Sequence, residues 1–213
     1  MPDYLAADII QDTAIEISRP PGIRIARYIS NILAPVTISG PLVVLVALYH
    51  TVNLMSALVY ACVTLFFLSF GPLVYILLGV RLGKLSDIGL TQRAERTGPF
   101  LFSIASISLG LAILIYIHGP KNLETVLICT GVSAVILMVT TLRWKISVHA
   151  SSLAGAATML TALYGIIVLP TFLLLVIVSW SRVVLRRHTV AQVVVGSLVG
   201  IALTTIIIIL RGV

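Results

Sequence analysis

Charged residues are scarce in this sequence. Lys, Arg, Asp and Glu together make up 10% of its 213 residues, whereas a soluble domain carries about 25%. Hydrophobic residues make up 59% and the mean hydropathy is +1.15. This composition excludes an ordinary soluble domain and predicts an integral membrane protein.

Cysteines and acidic residues are also rare. The two cysteines, Cys62 and Cys129, each lie inside an apolar run, which excludes a disulfide framework and a cysteine-based metal cluster. The 7 Asp and Glu residues form no cluster that would offer a Mg²⁺ or Zn²⁺ site. We therefore expect no metal and no other cofactor.

Basic residues, by contrast, are in excess. The 14 Lys and Arg residues give a formal net charge of +7. In a membrane protein this excess marks cytoplasmic loops and contacts with anionic lipids or phosphates. Because the chain has no soluble basic face, nucleic acid is excluded as a partner, and the expected partners are the lipid bilayer and a membrane lipid. The oligomeric state stays open.

Residues 1–28 are predicted to form an N-terminal interfacial segment. Apolar residues between Tyr4 and Ile17 alternate with acids at near-helical spacing, which predicts a short helix lying on the membrane surface. The acids also exclude a secretory signal peptide, because such a peptide begins with positive charge. Pro20 and Pro21 end this predicted helix.

Residues 29–213 are predicted to form one transmembrane domain. Apolar stretches of about 20 residues, the length that crosses a bilayer, predict an all-α bundle of seven spans. Six spans are the alternative, because the sixth stretch is short. The predicted spans are 29–50, 54–80, 99–118, 122–142, 149–167, 170–185 and 189–210.

The basic residues are distributed unevenly between the two sides of this predicted bundle. Twelve lie on the side of the N-terminus and of the loops 81–98, 143–148 and 182–188, against two on the opposite side. The positive-inside rule predicts that the side with twelve faces the cytoplasm.

Three polar clusters lie on that basic side, each at the mouth of a predicted span. They contain Arg93 and Arg96; Ser147 and His149; and Ser181, Arg182, His188 and Gln192. Arginine binds phosphate through two parallel hydrogen bonds, and histidine acts as nucleophile or general acid near neutral pH. Helices that begin beside the histidines would aim their backbone amides at the same anion. These clusters predict a site for a phosphate ester.

The clusters resemble the sequence elements of the type 2 phosphatidic acid phosphatases. The family's elements are Lys-x6-Arg-Pro, Pro-Ser-Gly-His and Ser-Arg-x5-His-x3-Asp. Ser181, Arg182 and His188 fit the third element at full spacing, and Ser147 and His149 fit the second. The resemblance covers residues 81 to about 200.

The chain also departs from the family pattern. If Arg96 is the arginine of the first element, Gly89 stands at the lysine position and Thr97 at the proline position. Arg93 lies one helical turn from Gly89 and could bring its cation to the same place as that lysine. Gln192 replaces the aspartate that orients the family's nucleophilic histidine.

The resemblance implies a core like that of the family within the bundle and a metal-independent lipid phosphatase. In the implied mechanism His188 attacks phosphorus and forms a phosphohistidine, while His149 protonates the leaving group and then activates water. Gln192 orients His188. The implied ligands of the phosphoryl oxygens are Arg93, Arg96, Arg182 and Ser147. The implied substrate is an isoprenoid (di)phosphate or a phosphatidate-type lipid, in the plasma membrane of a prokaryote.

Three further residues are secondary candidates. Ser181 belongs to the third element, Lys145 could reach a headgroup phosphate, and Asp87 is a helix cap, an arginine partner or a substrate contact. Two other functions stay open. One is a degenerate relative that binds lipid phosphate without hydrolysis or serves as a structural subunit of a membrane complex. The other is a transporter or a prenyltransferase, although the latter would need aspartate-rich motifs.

Overall fold

The computed structural model describes residues 20–51, 53–90 and 92–213, without the side chain of His50. Within these ranges the chain consists of helices joined by turns and short loops, with no strand. The predicted all-α class is therefore confirmed. The predicted interfacial helix between residues 3 and 17 lies outside the described residues.

The described helices follow one another with short connections. They are α1 (Pro21–Ile32), α2 (Pro35–His50), α3 (Leu54–Leu65), α4 (Gly71–Arg81), α5 (Thr97–Tyr116), α6 (Lys121–Arg143), α7 (Val148–Tyr164), α8 (Thr171–Val184) and α9 (Val190–Arg211). A π-helical turn at Phe66–Phe70 joins α3 to α4, and 3₁₀ turns at Ala94–Arg96 and Gly165–Val168 precede α5 and follow α7.

Five helical segments in the described ranges are long and apolar enough to cross a membrane. They are Leu54–Arg81, Ala94–Tyr116, Lys121–Arg143, Val148–Val168 and Val190–Arg211. Helices α1 and α2 pass the same test only together, and they are bent by 43° at their junction. Helix α8 has 14 residues, or roughly 21 Å at 1.5 Å per residue, and is short for a hydrocarbon core of about 30 Å. The chain is thus a polytopic helical membrane protein.

Prolines explain the bend between α1 and α2. Pro35 occupies the first position of α2, and Ala34 before it is extended, with φ −69° and ψ 150°. A residue that precedes proline avoids the helical region, and proline itself fits the first turn of a helix. The bend turns α1 away from the axis of α2 and lets it pack against α8.

Glycines allow α7 and α9 to pack more extensively than any other helix pair in the described ranges. A Cβ atom at Gly196 would lie 2.8 Å from the carbonyl oxygen of Ser147, and one at Gly200 would overlap the carbonyl of Ser151. Small residues at such spacing let two membrane helices approach closely. Because α7 begins beside His149 and α9 begins just after His188, this packing brings the two histidines to the same end of the bundle.

Polar contacts tie the helices together at the opposite end. Arg211 on α9 forms an ion pair with Glu124 on α6, with 2.5 Å between Nη2 and Oε2. The Tyr164 hydroxyl at the end of α7 donates to the Leu45 carbonyl of α2 at 2.8 Å. These contacts hold the helices together at the end of the bundle that lies away from the histidines.

Candidate functional site

A cavity of about 1180 Å³ opens where α7 and α9 begin and α8 ends. Five residues of the predicted site line it: Arg96, Lys145, His149, Arg182 and His188. They come from the start of α5, the loop between α6 and α7, the first turn of α7, the last turn of α8 and the turn before α9. The fold therefore brings members of all three sequence clusters to one cavity.

His188 lies in a tight turn between α8 and α9. The backbone amides of Arg187 and His188 both donate to the Arg182 carbonyl, at 3.1 and 3.3 Å. Arg186 adopts φ +51° to close this turn. The imidazole is buried, with 7% of the residue exposed, and its Nδ1 atom lies 3.2 Å from Oε1 of Gln192.

Gln192 also takes part in the N-terminal capping of α9, in which Thr189 is the N-cap residue. Its backbone amide donates to Oγ1 of Thr189 at 3.3 Å, and the Thr189 amide donates to Oε1 of Gln192 at 3.2 Å. This reciprocal pair is a capping box. A backbone N–H can only donate, so the atom that faces Thr189 must be the amide oxygen of Gln192. His188 must then donate its Nδ1 proton to that oxygen, which leaves Nε2 with its lone pair.

The surroundings of His188 favour its neutral imidazole. Burial, followed by the charges of Arg182, Lys145 and Arg96, lowers the pKa of His188 to about 3, and the hydrogen bond that His188 donates to Gln192 acts in the opposite direction. A neutral imidazole has a free lone pair and can act as a nucleophile. The capping box and the cationic surroundings therefore favour the same tautomer and the same charge state.

Lys145 lies in the loop between α6 and α7 and lines the cavity. Burial, then the charges of Arg96, Arg187 and Arg182, lower the pKa of Lys145, while Asp87 acts in the opposite direction. Cations gathered this closely repel one another, and an anion among them would relieve the repulsion. Asp87 is thus a neighbour of the cationic cluster.

Two guanidinium groups in the cavity wall each have a buried nitrogen that forms no hydrogen bond among the described residues. Arg96 is 6% exposed and donates from Nε to the Leu90 carbonyl at 2.9 Å. Nη1 of Arg96 and Nε of Arg182 are buried without a hydrogen-bond partner among the described residues. A buried unpaired donor costs about 1–3 kcal/mol, and more when it is charged. Phosphate oxygens are the acceptors that suit such donors best.

Ser30 on α1 joins the site although the sequence analysis did not predict it. Its hydroxyl accepts a hydrogen bond from Nη1 of Arg182 at 2.6 Å, and its main chain lies near the imidazole of His149. Ser30 is 3% exposed. A single serine in an amphipathic helix carries no sequence signal, and both of these neighbours lie more than a hundred residues further along the chain.

Arg93 and Arg96, predicted to act together, point to different places. Arg93 is exposed and does not line the cavity; its Nη1 donates to the Arg143 carbonyl at 3.0 Å. Gly89, which stands at the family's lysine position, does line the cavity. Glu95 holds this loop, because its carboxylate accepts from the amide and hydroxyl of Ser86 at 2.9 and 2.8 Å.

Ser147 and Ser181 support the helices of the site and do not line the cavity. Both are fully buried. The Ser147 hydroxyl caps α7 by accepting from the Ala150 amide at 3.4 Å, and its own amide donates to the Gln192 carbonyl at 3.3 Å. The Ser181 hydroxyl donates to the Val178 carbonyl of its own helix at 2.7 Å. In the described ranges no three His, Cys, Asp or Glu side chains come together in the arrangement of a metal site.

The fold and the cavity together define a helical membrane protein with a histidine- and arginine-lined site at one end of its bundle. Comparisons with models of known families, with curated proteins and with solved structures found no match to this chain. The functional interpretation therefore depends on the residues of the cavity.

Proposed function

We propose that this chain is a lipid phosphate phosphohydrolase that acts through a phosphohistidine. One observation carries the proposal: His188, oriented by Gln192, shares a cavity with His149, Arg96 and Arg182. A nucleophile, a second imidazole for proton transfer and two phosphate-binding cations are the groups that hydrolysis of a phosphate ester needs. The resemblance to the type 2 phosphatidic acid phosphatases assigns the same roles to these residues.

In the first step Nε2 of His188 attacks phosphorus and the bond from phosphorus to the leaving oxygen breaks. Protonated His149 donates its proton to that oxygen. The negative charge of the bound phosphate favours the protonated imidazole that this step requires. The products are a phosphohistidine at His188 and the free alcohol, or a phosphate when the substrate is a diphosphate.

In the second step a water molecule attacks the phosphohistidine and gives its proton to His149. The bond between phosphorus and Nε2 breaks, inorganic phosphate leaves, and His188 returns to the neutral form. His149 regains the proton that it lost in the first step. The proton balance of the cycle is therefore closed between the two histidines.

Three cations serve the phosphoryl oxygens in this proposal. Nη1 of Arg96 and Nε of Arg182 are the buried donors without partners among the described residues. Lys145 lines the same cavity as Gly89, so its ammonium group can take the place of the lysine that the family has in its first element. Arg93, exposed and bonded to the Arg143 carbonyl, is the weakest of the proposed ligands.

The proposed substrate is an isoprenoid (di)phosphate or a phosphatidate-type lipid, taken from the bilayer in which the chain is embedded. The cavity opens at the end of the bundle that holds Lys145, Arg182 and Arg187, and the sequence predicts twelve of the 14 Lys and Arg residues on this side. By the positive-inside rule we propose that this side is cytoplasmic, in the plasma membrane of a prokaryote. Cysteines placed at exposed positions of the loop 82–90 should then resist membrane-impermeant thiol reagents in intact cells.

The test is phosphate release by the purified chain from a panel of lipid mono- and diphosphates, in the presence of EDTA. We expect turnover with the wild-type chain and none with His188→Ala for any substrate. In His149→Ala the first step, followed as release of the alcohol or of nitrophenol, should recover on a nitrophenyl phosphate, because general acid catalysis contributes on the order of 10²–10⁴-fold only where the leaving oxygen is basic. Release of inorganic phosphate should stay slow in this variant, because the second step lacks its base. Equal losses of the first step in both variants on every substrate would contradict the assigned roles.

A second candidate function is binding of lipid phosphate without hydrolysis. Gln192 favours it, because an amide stabilises an imidazolium less than the carboxylate that the family has there. Saturable binding of a lipid phosphate, with no release of phosphate from any member of the panel, would select this candidate.

A further inference from the structure

The cavity that holds the histidines and arginines continues into the interior of the bundle. Its lining runs along α5 over residues 96–107, along α6 over residues 126–137 and along α7 over residues 149–159. At about 1.5 Å per residue, each run is roughly 15 Å long. The length of this inner arm is therefore about half of a hydrocarbon core of about 30 Å.

The wall of the inner arm is mainly apolar. Six of its buried apolar residues are Ile107, Val126, Ala134, Leu137, Ala156 and Met159. Several of the hydroxyl groups on this wall donate hydrogen bonds to backbone carbonyls of their own helices. Ser103 donates to the Pro99 carbonyl and Thr130 to the Val126 carbonyl, both at 2.8 Å. A wall of this kind suits hydrocarbon and offers little to a sugar or a peptide.

A gap between α2 and α4 gives this cavity an apolar side opening. Pro35 and Val36 on α2 and Leu73 and Ile76 on α4 line the cavity, and Val36 is 43% exposed. Helix α2 packs on α3, α6 and α7 and makes little or no contact with α4. A hydrocarbon chain could pass through this gap from the bilayer without crossing water.

Resting on the proposed hydrolysis, we propose that the inner arm binds the hydrocarbon chain of the substrate. The phosphate would then lie between Arg96 and Arg182 while the chain extends towards Met159. In this proposal the inner arm holds one chain, so the substrate class is the phosphate ester of a single long hydrocarbon chain. A two-chain glycerolipid would have to leave its second chain in the gap between α2 and α4.

Ala156 and Ala134 determine the width of the inner arm. Both are buried residues of its wall, on α7 and α6, and a larger side chain at either position would fill space that the hydrocarbon chain needs. Ala162 provides a matched control, because it lies on α7 but lines a separate cavity at the opposite end of the bundle.

The experiment measures phosphate release by the full chain in mixed micelles, from a short-chain alkyl phosphate, a long-chain alkyl phosphate and a diacyl phosphatidate. We expect the wild-type chain to prefer the long single-chain ester. Ala156→Phe should lower kcat/KM for that ester on the order of tenfold or more, as expected when a chain no longer fits its site. It should leave the short-chain ester unaffected, and Ala162→Phe should change neither.

Binding of a non-hydrolysable long-chain alkylphosphonate, followed as a rise in Tm, tests the chain site without hydrolysis. We expect the rise in the wild-type chain and in Ala162→Phe, and its loss in Ala156→Phe and in the milder Ala134→Leu. If the Tm values follow this pattern but the wild-type chain releases no phosphate, only the proposed hydrolysis is overturned. Phosphate release that is equally fast in Ala156→Phe and wild type for both chain lengths, or that is fastest with phosphatidate, would overturn the chain site.

Discussion

Oε1 of Gln192 lies 3.2 Å from Nδ1 of His188 and 3.2 Å from the backbone nitrogen of Thr189. One oxygen atom therefore belongs to the capping box of α9 and accepts the hydrogen bond from Nδ1 of His188. The contact with Thr189 fixes which end of the amide faces His188, and this determines which nitrogen of the imidazole carries the proton. In the proposed mechanism this amide orients His188 for attack.

Replacing Gln192 tests this relationship. Gln192→Leu removes the acceptor for Nδ1, so the neutral imidazole can place its proton on Nε2, and kcat should fall on the order of 10²-fold. Gln192→Glu keeps the acceptor and should retain activity. Thr189→Ala removes only the capping hydroxyl and should cost about 1 kcal/mol of stability with little change in kcat. Wild-type kcat in Gln192→Leu would show that His188 needs no orienting partner.

Ser30 should act as a positioning residue through Arg182, the partner of its hydroxyl. Ser30→Ala removes the acceptor of a charged hydrogen bond, which is worth about 1.5–3 kcal/mol. We expect kcat/KM for a lipid phosphate to fall about tenfold or more, and Ser30→Thr to restore part of it. Ser197→Ala, whose hydroxyl donates to its own helix at Val193, is the control. Equal kcat/KM values for the two alanine variants would remove Ser30 from the site.

Arg96 and Arg93 form a matched pair for testing phosphate contact. Arg96 is buried in the cavity wall, and Arg93 is exposed against the Arg143 carbonyl. Arg96→Gln should lower kcat on the order of 10²–10³-fold, as expected when a donor to the reacting phosphoryl group is lost. Arg93→Gln should stay close to wild type. The reverse order of losses in a phosphate-release assay would show that Arg93 is the ligand.

The sequence predicted the helices well because the thickness of a bilayer fixes their length. The predicted spans 54–80 and 122–142 correspond to Leu54–Arg81 and Lys121–Arg143. The predicted span 29–50 is interrupted, since Pro35 starts a new helix after α1. Hydropathy is continuous across that bend, so the apolar pattern alone could not show it.

The site could be predicted only in part. His149 and His188 lie at the starts of helices on the same side, and this was enough to expect a shared cavity. Whether Arg93 or Arg96 faces the cavity depends on the 3₁₀ turn at Ala94–Arg96, which has no clear sequence signal. The contact of Ser30 with Arg182 depends on how α1 folds back over α8, and local sequence does not determine such tertiary packing.

The pKa of His188 predicts how the stability of the protein depends on pH. Its pKa is lowered from 6.5 to about 3 in the folded chain, so between these values the unfolded chain binds a proton that the folded chain does not. The free energy of unfolding should therefore decrease as the pH falls below about 6.5. In His188→Asn the unfolded chain no longer binds this proton. The free energy of unfolding should therefore decrease less steeply with falling pH, and the difference in slope should correspond to at most one bound proton. Melting curves from pH 4 to 8 that are parallel for the two proteins would contradict the lowered pKa.

Trapping of the phosphorylated chain tests the central role of His188 most directly. The chain is mixed with a lipid phosphate that carries a radioactive phosphoryl group and is quenched within one turnover. We predict label on the protein that is stable to alkali and released by acid, as for a phosphohistidine. In His149→Ala, which lacks the base for the second step, the label should accumulate when a radioactive nitrophenyl phosphate replaces the lipid, because its leaving group needs no acid. The label should be absent in His188→Ala with either substrate. Release of phosphate without any labelled protein, or labelling that persists in His188→Ala, would contradict the account.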